Sequence, residues 1–164
     1  MLRSVPGSGA RATRLLASLT RGSYSVPMAQ PTHPQGFDSD PKLSFLKYIG
    51  LRIGPISPEQ AVCEIELRDD LRNRGGMLQG GITATLVDVA GGLAGAAAAQ
   101  VDRVLTADMN IHYLAPARVG PVRATGAVLR AGRRTVVVEV RVLDVGADER
   151  LVAVGTVTMA VVGG

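Results

Sequence analysis

The chain has 164 residues, of which 46% are hydrophobic and 20% charged, enough apolar content for the core of one folded domain. Its formal charge is +4, yet Arg3, Arg11, Arg14 and Arg21 all precede the first acidic residue, Asp38, and the remaining 14 basic side chains balance the 14 acidic ones. A neutral body with 3% aromatic residues and no Trp argues against a nucleic-acid partner, and the lone Cys63 excludes an intrachain disulfide or a multi-cysteine metal site.

In chain order, residues 1–37 come first. The segment to about Tyr24 is Arg-bearing, contains Ser and lacks acids, the composition of a mitochondrial transit peptide. As a helix it would set Arg11, Arg14, Ser18 and Arg21 along one side and Leu15, Leu16 and Leu19 beside one another. The run from Arg21 to Ser25 is similar to a mitochondrial processing site, which predicts a matrix location. The alternative is an N-terminal extension ahead of a start at Met28, with the protein cytoplasmic. A Pro-rich connector, 27–34, follows, and a single domain is expected over residues 38–164.

Within that domain Ser39 or Asp40 should cap a short helix through Pro41, Leu43, Phe45, Leu46 and Tyr48. Strands are predicted at 50–56 and 61–67, the second with Ala61, Cys63, Ile65 and Leu67 on one face and Glu64 and Glu66 on the other. Turn chemistry fills 68–76. Residues 80–99 are too long for a strand and rich in Ala and Leu, so they predict one long helix, whose small residues let it lie close against a sheet. Asp88 near its middle argues against a membrane span, because an ionised Asp at a bilayer centre costs about 3 kcal/mol.

From Val104 the period changes to two. Leu105, Ala107, Met109, Ile111 and Tyr113 should face one way, and Thr106, Asp108, Asn110 and His112 the other. Further strands are expected at 122–130, 136–143 and 151–162, divided by turns at 131–133 and near Gly146. A meander of four long strands, two earlier strands and one buried helix predict an α+β fold with an antiparallel sheet of about six strands.

The body carries one His, one Cys and only Lys42 and Lys47 as lysines, with no P-loop, Gly-x-Ser-x-Gly, HExxH or Cys-x-x-Cys motif. Hydrolase triads and zinc sites therefore lack their parts, and no metal or other cofactor is expected. His112 reads as an alternating strand residue. What remains is Asp88, the only ionisable side chain between Arg74 and Asp102, set among Leu86, Val87 and Val89. Taken alone it could be a solvent-facing helix residue, an interface acceptor or a catalytic carboxylate.

The run from Asn73 through Gln79, Gly80 and Gly81 to Asp88 resembles the PaaI-like hotdog thioesterases, as does Asp108-Met109-Asn110-Ile111-His112-Tyr113-Leu114-Ala115-Pro116-Ala117 downstream. The resemblance covers residues 41–162 and implies a hotdog fold, an antiparallel sheet wrapped around the long helix. It implies hydrolysis of a fatty or aryl acyl-coenzyme A to free acid and coenzyme A, with lipid metabolism as its setting. Gly80 would supply a backbone N–H to the thioester carbonyl, and Asp88 would activate water or attack directly. Asn73 matches the family's orienting amide, and Thr106 a hydroxyl that positions the water or the carboxylate. Most members have His where this chain has Gln79. That departure motivates the alternative of a catalytically weak module that binds acyl-coenzyme A or a protein partner. Gln79 and Gly81 would line the substrate, and Arg133 and Arg134, at a hairpin turn, would meet its phosphates or stay solvated.

Gly80 and Asp88 lie eight positions apart on one helix, about 12 Å along its axis. One straight helix cannot bring both to one carbonyl. Two antiparallel copies across a two-fold axis can, so a homodimer or dimer of dimers with shared sites is expected.

Overall fold

The structure, a computed structural model, describes residues 40–162. The leader and connector expected over residues 1–37 lie outside the described residues. The Asp40 carboxylate accepts from the Lys42 N–H at 2.8 Å and caps a 3-10 turn, Pro41–Leu43, which runs into helix α1, Ser44–Tyr48. Strands β1, Arg52–Ile56, and β2, Gln60–Ile65, precede the long helix α2, Gly80–Ala99. Four strands complete the chain: β3, Val104–Tyr113; β4, Val122–Ala131; β5, Thr135–Asp144; and β6, Arg150–Val161.

All six strands form one antiparallel sheet in the order β1-β2-β4-β5-β6-β3, and α2 lies on it in contact with every strand. This is the hotdog arrangement. The expected four-strand meander is corrected in one respect: only β4, β5 and β6 follow one another, whereas β3 pairs with β6 at the far edge. The link over residues 114–121 makes this possible, since eight residues reach up to about 27 Å when extended and three strand spacings need about 14 Å. Asp144, fully buried at the end of β5, holds that link by accepting from the N–H groups of Arg118 (2.7 Å), Val119 (3.1 Å) and Gly120 (2.7 Å).

The core lies between α2 and the sheet, where Leu86, Val87 and Ala90 meet Val136, Val138, Val140 and Val157. Small residues set the approach. A Cβ on Gly126 of β4 would stand 2.7 Å from the Ala90 carbonyl oxygen, and one on Gly91 of α2 would stand 3.0 Å from Val157 Cβ. α2 is long and apolar enough to cross a membrane, with a mean hydropathy of 1.5, but here its apolar side is the inner wall of the core.

Glu64 does face away from Cys63, yet it is buried. Its carboxylate is held by Arg123 at 2.8 Å and Arg52 at 2.6 Å, its direct cross-strand neighbours on β4 and β1, and Arg52 also reaches Glu66 at 2.7 Å. A buried carboxylate is tolerated here because two guanidinium groups satisfy it.

Candidate active site

The first half of the site is the start of α2. Gln79 is extended (φ −59°, ψ 128°) and gives no side-chain cap, while its carbonyl accepts from the N–H groups of Ile82 (3.0 Å) and Thr83 (3.2 Å). Gly80 and Gly81 therefore carry first-turn N–H groups with no acceptor among the described residues. Such donors, aided by the partial positive charge of a helix start, suit a developing oxyanion. The preceding loop is held by Asn73, whose Oδ1 accepts from the N–H groups of Gly75 (2.8 Å) and Met77 (3.3 Å). Asn73 and Gly80 share a cleft of about 330 Å³ with Thr83, Tyr113 and Ala115. The Tyr113 hydroxyl donates to the Gly80 carbonyl at 3.0 Å.

The second half lies two turns along the helix. Asp88 is half-buried, and Thr106 Oγ1 of β3 donates to its Oδ1 at 2.5 Å. Strict alternation had placed Thr106 on the face of Asp108 and Asn110. A bulge in β3 corrects this: Thr106 pairs with Met159 and Asp108 with the adjacent Thr158, so the extra residue turns Thr106 inward and Leu105 outward. Asp88 and Thr106 line a cleft of about 430 Å³ with Leu93, Arg103 and Met159.

The predicted residues thus fall into two groups within one chain, Asn73 with Gly80 and Asp88 with Thr106. Gln79 and Gly81 open instead on a neighbouring cleft of about 380 Å³ with Phe45, Tyr48 and Arg72. The Gln79 side chain is exposed and makes no hydrogen bond among the described residues, so the loop does not depend on it. Arg133 and Arg134 are exposed at the β4–β5 turn, at the end of the sheet where Thr135, Ala160 and Leu105 lie in one row. His112 pairs with Val154 on an exposed stretch of β3 and lines neither cleft. Burial pushes the Cys63 thiol up to about 12, which removes it as a nucleophile. No group of three or more His, Cys, Asp or Glu side chains among the described residues is placed to hold a metal ion.

Sequence reasoning missed Tyr113 as a site residue. Its signal was a polar-tipped aromatic within the second recognisable run, at the end of β3, and only the fold reveals that its tip reaches α2.

Residues 75–158 match the Thioesterase superfamily. The chain is 35% identical to mouse acyl-coenzyme A thioesterase 13 over 78 residues, which are 47% of this chain and 56% of that protein. It is 27% identical over 114 residues to the 1,4-dihydroxy-2-naphthoyl-CoA hydrolase of Listeria monocytogenes, covering 69% of this chain and 91% of that one. Among solved structures, zebrafish thioesterase superfamily member 2 superposes with a TM-score of 0.67 at 29% identity, covering 77% of this chain and 92% of that one.

Proposed function

The chain belongs to the Thioesterase superfamily, and from that premise we propose that it hydrolyses a fatty or aryl acyl-coenzyme A to free acid and coenzyme A. The observation that carries the reading is a carboxylate pinned by Thr106 on the same helix that opens with two backbone donors lacking an acceptor among the described residues. The named activities of the mouse and Listeria relatives support a coenzyme A thioester as substrate.

In this mechanism the Thr106 bond occupies Asp88 Oδ1 and leaves Oδ2 to take a proton from water. The water oxygen bonds to the thioester carbon, and the carbonyl electron pair moves to an oxyanion held by the Gly80 N–H. Collapse breaks the carbon–sulfur bond, and the departing thiolate takes the proton from the Asp88 carboxyl. Asn73 orients the acyl group from the Gly80 cleft, and Arg133 and Arg134 meet the phosphates of coenzyme A.

The working unit is a homodimer. β3 is an unpaired edge on which eight of ten residues are exposed, Leu105, Met109 and Tyr113 among them. A long exposed edge of this kind, with unpaired backbone groups and apolar side chains at Leu105, Met109 and Tyr113, is a template for another strand. Antiparallel pairing of two β3 strands about their middle brings the Thr106 end of one beside the Tyr113 end of the other, and with them Asp88 of one copy beside Gly80 of the other.

The test is a steady-state panel of acyl-coenzyme A substrates differing in chain length and aromaticity, with release of the free thiol measured. Turnover of at least one member is expected. Binding of the panel without turnover would replace this reading with that of an acyl-coenzyme A binding module.

A further inference from the structure

Resting on that reading, we infer that Tyr113 is a positioning residue that fixes and polarises the Gly80–Gly81 peptide, so that the Gly81 N–H joins the Gly80 N–H in holding the oxyanion. The Tyr113 hydroxyl donates to the Gly80 carbonyl oxygen at 3.0 Å, and that oxygen belongs to the same peptide unit as the Gly81 N–H. A hydrogen bond to a peptide carbonyl draws electron density from its nitrogen and strengthens the N–H as a donor. A carbonyl has two lone pairs, so the phenol can bind beside the ordinary helical partner.

Two further features point the same way. The Tyr113 ring stands against Gly80, 3.7 Å from where a Cβ would be, and holds the first turn by contact as well as by hydrogen bond. Nothing lies within 4 Å of a Cβ position at Gly81, and its N–H has no acceptor among the described residues. The backbone of Tyr113 is itself fixed by pairing with Ala153 of β6, so the hydroxyl position is set by the sheet and not by the helix it adjusts. β3 thus gauges both halves of the site, with Thr106 on Asp88 at one end and Tyr113 on Gly80 at the other.

The experiment compares Tyr113→Phe with the wild-type full chain on the best substrate of the panel. The Phe ring keeps the packing and deletes only the hydroxyl. Removing a direct oxyanion donor costs about 10²–10³ in kcat, and a group acting through that donor should cost less, about tenfold. KM and the affinity for a non-hydrolysable S-alkyl coenzyme A thioether should stay within about twofold of wild type, since the thioether has no carbonyl to polarise. The Gly81 amide proton should move upfield in a ¹⁵N-resolved NMR spectrum, with melting unchanged. An active wild type with an equally active Phe variant would overturn the inference, as would equal losses of kcat and thioether affinity, which mark a structural role. Tyr113→Leu, which deletes ring and hydroxyl together, should lose at least as much kcat as the Phe variant, and a smaller loss also counts against the hydroxyl. A wild type inactive on the whole panel overturns the thioesterase reading and the catalytic part of this inference together, while the Gly81 shift still reports whether the peptide is polarised.

Discussion

The Thr106 hydroxyl donates to Asp88 Oδ1 at 2.5 Å, across the gap between an edge strand and the middle of the core helix. The bulge between Thr106 and Asp108 makes this contact possible by turning Thr106 inward. Removing the hydroxyl while keeping the shape, as Thr106→Val, should lower kcat about tenfold, roughly 1.4 kcal/mol in barrier, because the carboxylate loses its orienting donor. Thr106→Ser should recover most of that loss. Steady-state kinetics on both variants check it, and equal activity of the Val variant and wild type would remove Thr106 from the site.

Gln79→His should change turnover by less than about tenfold. The Gln79 side chain makes no hydrogen bond among the described residues, and the loop is held by Asn73 Oδ1 and by backbone bonds from Leu78 to Ala117 and from Gln79 to Leu71. A gain of a hundredfold in kcat would show that Gln79 marks a weakened enzyme.

Much of this architecture was legible beforehand, for identifiable reasons. α2 runs over the span that its Ala and Leu content and its neighbouring turns indicated, and β2 presents Ala61, Cys63 and Ile65 inward as period two required. The features that escaped depend on partners far along the chain. Burial of Glu64 needs Arg52 and Arg123 from two other strands. The inward turn of Thr106 depends on its register against Met159. The place of β3 beside β6 depends on a link that Asp144 fastens from β5. For the site, helix length alone, read from the sequence, already set Gly80 and Asp88 about 12 Å apart, and the structure accordingly places them in separate clefts. The approach of Tyr113 to Gly80 depends instead on the placement of β3.

Asp144 gives a test of the fold that leaves the chemistry aside. Asp144→Ala would take the buried acceptor away from three N–H groups at residues 118–120, at a cost of about 3 kcal/mol. Urea unfolding should show a lowered midpoint, with Asp144→Asn intermediate because one amide oxygen remains to accept. An unchanged midpoint in the Ala variant would mean that the crossover link is held by other contacts.

The shared site makes a prediction that no single-chain site can match. Gly80→Pro deletes the backbone donor at a position suited to proline, the first residue of a helix after an extended Gln79, and a Cβ there meets the Tyr113 ring only at 3.7 Å. Homodimers of Gly80→Pro and of Asp88→Asn should each be nearly inactive. Their mixed dimer should regain about half the wild-type activity, since one of its two sites joins an intact Gly80 to an intact Asp88. No recovery in verified, folded mixed dimers would count against sharing.

The most direct measurement is kcat of Asp88→Asn on the best acyl-coenzyme A substrate, taken together with its melting temperature and its affinity for an S-alkyl coenzyme A thioether. The amide keeps the shape and the acceptor for Thr106 but loses the basic oxygen. The account predicts a fall in kcat of about 10²–10⁴, the usual contribution of a general base, with melting and thioether affinity unchanged. A well-folded Asn variant retaining wild-type kcat would contradict it.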